Sequence, residues 1–441
     1  MWIDLDIDTF TFPDVPLPEV WTVEQLFDTP ALTQEQIEAA TRQAVAELAR
    51  DPRLRPGAQV AVGVGSRGLN NLVLVVRTVV AELKTRGMEP FIIPAMGSHG
   101  GATAEGQTEL LHDYGITPEN VGAPIRATME VAEIGRLEGE EAGPFVGQPV
   151  YCERNALAAD AILLINRIKP HTDFKGPIES GIAKMCAIGL GKQKGAASIH
   201  HYGARGLRDL MPRIARYLAS HTKVVGGVAL LENELGRTSE IHALPANQIG
   251  REQEAALLER ARATAPRLPF QELDVLIIDE MGKNISGAGM DTHVIGRGMM
   301  PSIPEQEWGG PNIGIIAVLD LTSQSHGNGT ALGLADLTTR RLVEKIDWKT
   351  TFINMRTSVE GGILRGRLPI IQPTGDDCVR TAIATCGKGS PAEVRLARIR
   401  NTADTQFLEI SAALLAEARQ NPHLRVSETS HTLDLCQPIK T

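Results

Sequence analysis

Short apolar runs rich in valine and isoleucine recur along the chain, and each ends in a polar loop that contains glycine. These runs and their loops occupy 59–71, 90–101, 160–173, 274–291 and 312–329. Continuous apolar runs of this length are typical of strands that are buried on both faces, as in a parallel sheet covered by helices. The pattern therefore predicts a core of parallel strands.

Helical periodicity fills several segments between these runs. Residues 33–51 have apolar side chains at helical spacing, with Thr33 as the N-cap. Residues 71–87 end in a glycine after a basic turn, which is a usual helix stop. Further helices are predicted over 331–347 and 404–420. Strands that alternate with helices predict an α/β fold.

The length of 441 residues favours two domains. A charged helical pattern gives way to prolines within 259–274, just before the next predicted strand, so the boundary is placed near residue 270. We therefore expect two α/β domains, 1–270 and 271–441, with mostly parallel sheets and an active site in the cleft between them. Whether the last helix packs back on the first domain is left open.

The composition excludes several classes of protein. A net charge of −9 argues against a general binder of nucleic acids or anionic membranes, and an aromatic content of 4% is too low for a base-stacking surface. The five cysteines are scattered without a CxxC pair and are expected to be free thiols. No apolar run approaches the roughly 20 residues needed to span a bilayer. We therefore expect a soluble, cytoplasmic protein.

Polar side chains follow the predicted strands where a ligand is expected to bind. In open parallel sheets, ligands bind outside the carboxyl ends of the strands. The residues at those ends are Arg67, His99, His171, Lys283 and His326. The usual topology of a parallel sheet would bring these residues to one edge of the sheet, which is the first indication of a functional site.

The loops around three of these residues indicate their chemistry. Arg67 in GVGSRG could hold a carboxylate or a phosphate through its planar guanidinium. His99 in MGSHGG has only small neighbours to shield it. His171 follows a proline, and Asp173 could orient its imidazole or raise its basicity. Each is also compatible with an ordinary loop side chain.

Lysines and histidines are concentrated in the next segment. Lys184 lies in SGIAKMCAIGLG, the most apolar setting of any lysine in the chain, where an ammonium must be paired, deprotonated or used covalently. Lys192 and Lys194 lie between glycines in GLGKQKG and suit either an anion or solvent. His200 and His201 are adjacent, so only one of them is expected to face a site.

In this order, these residues resemble the nickel-pincer lactate racemase family, whose members invert 2-hydroxy acids. The resemblance is strongest from about 60 to 205 and thinner from 274 to about 300. Lys184 and His200 are sixteen residues apart, as in the family, which favours His200 over His201. The motifs that carry the resemblance are SRG, GSH, KPH, SGIAK and SIHH.

The resemblance implies a nickel pincer nucleotide, a pyridinium mononucleotide with two thio-acid arms. Lys184 would be its covalent tether, and His200 would be the protein ligand of the nickel. Arg67 and Lys192 are the candidates for further contacts with the cofactor. Residues 1–270 would therefore hold the cofactor, and residues 271–441 would contribute to substrate binding.

The resemblance also implies that His99 and His171 are paired acid–base catalysts on opposite faces of the substrate. Two departures concern the substrate: the segment between His171 and the tether is a few residues longer, and the family's substrate-binding Gln and Lys are not recognisable. Arg67, Lys283 and Arg297 are the candidates for holding its carboxylate. The implied activity is a racemase or epimerase that inverts C2 of a 2-hydroxy acid by hydride transfer to the cofactor.

Two other functions remain open at this point. In one, Lys184 forms a Schiff base in a lyase or isomerase, with the histidines as proton shuttles. In the other, a non-catalytic module holds a nucleotide or anion through Arg67, Lys192 and Lys194. The expected partners of the preferred enzyme are a small 2-hydroxy acid and the proteins that make the cofactor, with no nucleic acid and no membrane.

Overall fold

A computed structural model of the protein describes residues 15–65, 68–357 and 359–439. No helix within these ranges is long and apolar enough to cross a membrane. The five cysteines lie within the described residues and are free.

The described residues fall into two compact units. One is Thr29–Ala265, and the other combines Met1–Asp28 with Pro266–Thr441. The chain thus passes between units after residue 265, a few residues before the predicted boundary at 270. The segment before Thr29 belongs with the C-terminal part of the chain, because its strand Glu19–Gln25 pairs there.

Strands and helices alternate along most of the chain. In chain order the strands are β1 Glu19–Gln25, β2 Gln59–Val64, β3 Glu89–Pro94, β4 Val131–Arg136, β5 Pro149–Glu153, β6 Ala161–Arg167, β7 Val224–Glu232, β8 Thr238–Pro245, β9 Glu272–Ile278, β10 Asn312–Val318, β11 Leu337–Thr339, β12 Ile370–Gln372, β13 Leu396–Asn401, β14 Asp404–Ser411, β15 Leu424–Val426 and β16 His431–Thr432.

The helices cover the sheets and connect their strands. In chain order they are α1 Gln34–Leu48, α2 Leu72–Thr85, α3 Ala104–Asp113, α4 Pro118–Val121, α5 Gly139–Ala142, α6 Arg154–Ala158, α7 Ile182–Lys184, α8 Lys192–His200, α9 Gly203–Arg205, α10 Met211–His221, α11 Glu252–Ala263, α12 Arg340–Glu344, α13 Trp348–Thr357, α14 Val359–Arg365, α15 Gly375–Thr385 and α16 Leu415–Gln420. A π segment, Met185–Gly189, lies between α7 and α8.

The main sheet of the Thr29–Ala265 unit has the strand order β3-β2-β6-β7-β8. All neighbours are parallel except β7 and β8. The central strand β6 is buried along almost its whole length, as a strand covered on both faces should be. Strands β4 and β5 form a separate antiparallel pair.

The sheet of the other unit has the order β12-β11-β10-β9-β13-β14-β1-β15, with β16 on β1. The strands from β12 to β13 are parallel. The strands from β14 onwards are antiparallel to their neighbours. The sequence did not predict this antiparallel half of the sheet. The predicted α/β fold is confirmed.

Several predicted elements are confirmed individually. The five apolar runs form β2, β3, β6, β9 and β10. Helix α1 begins after Thr33, whose hydroxyl accepts the Gln36 main-chain N–H while the Gln36 side chain bonds back to the main-chain N–H of Thr33. Helix α2 ends two residues before Gly87, which has a φ of +80°.

Two predicted helices form over only about half of their length. Within 331–347, β11 lies parallel to β10, and only α12 is helical beyond a short 3-10 turn. Within 404–420, β14 pairs with β13 and β1, which buries Leu408 and Ile410. Apolar spacing in both segments also fits a buried strand, and the ladder of neighbouring strands satisfies the backbone polar groups there. Helix α16 belongs to the unit that contains Pro266–Thr441.

Candidate functional site

Parallel strands of the Thr29–Ala265 unit bring their following loops to one edge of the sheet. β2 and β6 are parallel neighbours, and β3 lies parallel on the other side of β2. His99 follows β3 and His171 follows β6, so that their loops share the carboxyl edge. Arg67, the candidate after β2, lies outside the described residues.

The His99 loop packs closely on the π segment. A Cβ added at Gly97 would lie 2.9 Å from Ile188 Cγ2, and one added at Gly189 would lie 2.7 Å from the carbonyl oxygen of Ala95. A larger residue on either side would therefore push the two backbones apart. His99 itself is exposed at the sheet edge.

Lys192 lies buried beside this loop. Its ammonium donates to Gln107 Oε1 at 2.9 Å and to the carbonyl oxygen of Pro94. Gln107 Nε2 in turn donates to the carbonyl oxygens of Gly97 at 2.9 Å and His99 at 3.3 Å. Burial lowers the pKa of Lys192 to about 8. The side chain that the sequence suggested for an anion thus joins α8 to the His99 loop, and its contact with a cofactor stays a prediction.

A buried carboxylate holds the His171 loop in shape. Glu179 accepts the main-chain N–H of His171 at 2.7 Å and that of Gly176 at 2.9 Å. Arg262 on α11 forms an ion pair with the same carboxylate at 2.5 Å, and it also donates to the carbonyl oxygen of Gly176 at 2.8 Å. Sequence reasoning missed Glu179 and Arg262, because no local pattern connects residues so far apart in the chain.

The imidazole of His171 contacts the amine of Lys184. The distance between His171 Nε2 and Lys184 Nζ is 2.8 Å. On the other side of the ring, His171 Nδ1 accepts the main-chain N–H of Asp173 at 3.0 Å. The ring also lies on Phe174, with 4.6 Å between ring centroids. Both the base and the tether suggested by the sequence are therefore held in direct contact.

Burial makes the charged forms of these groups costly. It lowers the pKa of Lys184 to about 8, against the opposing effect of the Asp173 carboxylate. Burial, followed by the charge of Lys184, also lowers the pKa of His171 well below its ordinary value. Perturbed amine and imidazole groups in contact are a common feature of catalytic sites.

The local backbone around Lys184 depends on a second buried carboxylate. Glu254 accepts the main-chain N–H of Ala183 at 2.9 Å and that of Gly250 at 2.8 Å. Burial raises the pKa of Glu254 to about 7. A Cβ added at Gly181 would lie 2.5 Å from Glu254 Oε1, which explains the glycine in SGIAK. The π segment that follows is a backbone irregularity often found at functional sites.

His200 and His201 lie in different surroundings. His200 is half-buried at the end of α8, and burial followed by the charge of Lys184 lowers its pKa. His201 is exposed, and its ring lies edge-on to Tyr202 with 5.3 Å between centroids. Successive helical residues point about 100° apart, so the two rings cannot share one site.

The two candidates in the other unit lie toward opposite edges of its sheet. Lys283 follows β9, and its main-chain N–H donates to Ser325 Oγ, beyond the carboxyl end of β10, at 2.9 Å. Arg297 forms an ion pair with Asp336 at 2.8 Å and donates to the carbonyl oxygen of Ile313 at 3.2 Å, at the amino end of β10. A strand of this length spans about 20 Å. The prediction that both residues hold one carboxylate therefore needs correction.

Metal ligation by the protein alone finds no support in the described part of the chain. Over 15–65, 68–357 and 359–439, no group of three or more His, Cys, Asp or Glu side chains is arranged to hold a metal ion. The resemblance noted above implies a single protein ligand, so the two statements are compatible.

Comparison with known proteins shows similarity in fold. No protein-family model matches the chain, and no curated protein matches it. The lactate racemase apoprotein from Thermoanaerobacterium thermosaccharolyticum has a TM-score of 0.53 and 11% identity over 87% of this chain and 98% of that one. A protein from Thermotoga maritima has a TM-score of 0.48 and 14% identity, covering 86% of this chain and 99% of that one. The chain therefore has a fold distantly similar to that of lactate racemase.

Proposed function

We propose that the protein is an isomerase that inverts C2 of a 2-hydroxy acid with a lysine-tethered nickel pincer nucleotide. The observation that carries the proposal is the 2.8 Å contact between His171 Nε2 and Lys184 Nζ, with His200 electrostatically coupled to the same amine. A fold similar to that of lactate racemase supports the same conclusion.

The residues at this sheet edge fit such a cofactor. Lys184 is partly exposed among buried neighbours, and its amine is the proposed point of covalent attachment. His200 offers one half-buried imidazole, and imidazole together with sulfur suits nickel. The glycines at 97 and 189 allow the His99 loop to pack closely on the π segment. Arg67 remains a proposed contact with the cofactor and with the substrate.

Histidine catalysis alone is too weak for this reaction. Positioned acid–base groups contribute about 10²–10⁴-fold, whereas enzymes reach about 10⁶-fold or more. When bound, the cofactor would supply an acceptor for the hydrogen at C2, which is scarcely acidic. The chain's own part is to bind and orient the substrate and to move the hydroxyl proton.

His99 and His171 are proposed to move that proton. The two enantiomers present their hydroxyl groups to different sides, so each requires its own base. Burial lowers the pKa of His171, which favours its neutral imidazole form in the chain without cofactor. His99 is exposed on the loop after the neighbouring strand β3. Lys283, at the carboxyl edge of its own sheet, is the proposed substrate anchor in the other unit.

The test is to purify the chain from a host that also makes the cofactor and to measure intact mass and nickel. We expect a mass excess that maps to Lys184 and about one nickel per chain. His200→Asn should remove the nickel, and His201→Asn is the matched control that should retain it. An unmodified, nickel-free chain from a host shown to make the cofactor would overturn the proposal.

Substrates are then found by screening 2-hydroxy acids and sugar acids in D₂O. Inversion without deuterium at C2 is expected, because the hydrogen returns to the carbon it left. Full deuterium incorporation would indicate simple deprotonation and contradict the proposed route.

A Schiff-base enzyme is the second candidate, because a neutral amine next to an imidazole also suits attack on a carbonyl. It predicts that borohydride traps substrate on Lys184 in a metal-free chain. The same treatment of Lys184→Arg, as the control, should trap nothing.

A further inference from the structure

The proton on the His171 ring can be assigned from its two contacts. A main-chain N–H can only donate, and the N–H of Asp173 points at His171 Nδ1 at 3.0 Å. Nδ1 must therefore have its lone pair available, and the proton of the neutral imidazole must lie on Nε2. An imidazolium, with protons on both nitrogens, does not fit this contact.

This assignment determines the state of Lys184. The protonated Nε2 lies 2.8 Å from Lys184 Nζ, so the lysine nitrogen has to accept the hydrogen bond. An ammonium group has three donors and no lone pair, whereas a neutral amine can accept. We propose that His171 keeps Lys184 as an uncharged amine, so that the chain by itself presents a nucleophile able to take an acyl group from an activated acid.

The surrounding loop keeps His171 in this orientation. Glu179 and Arg262 hold the loop through the main-chain N–H of His171 and both polar groups of Gly176. The Asp173 N–H that contacts Nδ1 belongs to the same loop. The arrangement therefore resists the alternative in which Nδ1 is protonated and Lys184 donates to Nε2.

The charged groups facing the pair act in opposite directions. Asp173 favours the charged form of both groups, while Lys169 and His200 disfavour a charge on His171. Burial adds to the cost of an ammonium at Lys184. A hydrogen-bond donor on His171 adds a further cost that burial alone does not include.

The inference rests on the proposed function in one respect, namely that the acyl donor in the cell is a thio-acid arm of the cofactor. In the reaction, Lys184 Nζ attacks the acyl carbon and a C–N bond forms. The bond from that carbon to its leaving group breaks, and the leaving group departs with the electron pair and the amine proton. No oxidant or reductant is required.

Acetylation of the full chain by the N-hydroxysuccinimide ester of acetic acid tests this. Rates at each lysine are followed by peptide mass spectrometry from pH 6 to 10, with exposed Lys349 as the internal reference. At pH 7 we expect Lys184 to react roughly 300-fold faster than Lys349, because lowering a lysine pKa from 10.5 to about 8 raises the neutral fraction by about that factor.

Two variants separate the role of His171 from burial. His171→Leu removes the donor and leaves an apolar side chain, so the midpoint of the Lys184 rate profile should move to higher pH. Asp173→Asn retains the main-chain N–H and removes a carboxylate, so the midpoint should move to lower pH. An unchanged midpoint in His171→Leu would show that burial alone controls Lys184 and would overturn the proposal.

Direct observation of the tautomer covers the case in which His171→Leu fails to fold. In the ¹⁵N-histidine-labelled wild-type chain, long-range ¹H–¹⁵N spectra should show His171 with a protonated Nε2 and an unprotonated Nδ1. The reverse pattern overturns the proposal. Both measurements use the chain without cofactor, so failure of the nickel and mass test would reject the proposed function while leaving this result in place.

Discussion

Lys184 and Arg297 are both basic residues that the sequence singled out, the first as a covalent tether and the second as a carboxylate anchor, but their surroundings differ. Lys184 contacts an imidazole, and burial lowers its pKa to about 8. Arg297 is paired with the Asp336 carboxylate and donates to the carbonyl oxygen of Leu334 at 2.9 Å. A cation with an anionic partner and main-chain acceptors holds structure, whereas a buried amine facing an imidazole is poised for chemistry.

The comparison shows that a motif near the end of a strand indicates a functional site only when the groups that contact it are also known. Both residues lie in connections between parallel strands, Lys184 between β6 and β7 and Arg297 between β9 and β10. The difference is in the groups that face them, and these come from distant parts of the chain.

The strongest way to test the comparison is Lys184→Arg. Arginine keeps a positive charge and is never deprotonated in a protein, so it cannot form the covalent bond. We expect loss of the mass excess and a fall in inversion rate to background in chains from the cofactor-making host. Lys349→Arg, on the exposed surface, is the control that should keep both. Undiminished activity in Lys184→Arg would place it with Arg297 as a structural cation.

Replacement of the histidines should have the next largest effect. His99→Asn and His171→Asn should each lower kcat by about 10²–10⁴-fold, because each removes one acid–base group. KM should change little, since proton transfer matters most in the transition state. Steady-state kinetics in both directions measure this. A drop in kcat that matched the loss of folded protein by circular dichroism would instead indicate a structural role.

A pH-dependent effect on stability is expected from Glu254. Its pKa is raised from 4.5 to about 7 in the folded chain, so the folded state binds more protons than the unfolded state between these values. Its contribution is therefore present below pH 4.5 and is lost as pH rises through 7, by roughly 3 kcal/mol. Glu254→Gln should remove that part of the fall in the free energy of unfolding between pH 5 and 8.

Urea unfolding at pH 5 and at pH 8 measures this change in the free energy of unfolding. Glu252→Gln, an exposed position on the same helix, is the matched control and should retain the wild-type slope. An unaltered slope in Glu254→Gln would mean that the buried carboxylate does not titrate in this range.

The smallest effects are expected in the other unit, where Lys283 and Arg297 should behave differently. Arg297→Lys should lower the free energy of unfolding by about 1–2 kcal/mol, because lysine cannot reproduce the several hydrogen bonds of the guanidinium. Its KM should stay near the wild-type value. Lys283→Met should raise KM with little loss of stability. An Arg297→Lys variant with a raised KM and unchanged stability would restore Arg297 as a substrate residue.

Much of the site's outline could be predicted from local sequence patterns. Apolar runs that end in glycine-containing loops were enough to predict β2, β3 and β6, and parallel topology then placed the His99 and His171 loops at one edge. The π segment, Glu179 and Glu254 could not be predicted, because their partners depend on how α11 packs against the loops. The segment 404–420 was misread for a related reason, since strand pairing outweighed its helical spacing.

By itself, the sequence determined the α/β fold class, the strands of the parallel core and the candidate residues at their carboxyl ends. It did so because apolar periodicity and glycine turns are local properties of the chain. Only the tertiary structure decided that Lys192 is buried and that Lys283 and Arg297 lie apart. Charge state, burial and hydrogen-bond direction depend on which distant groups meet, and only the folded chain brings those groups together.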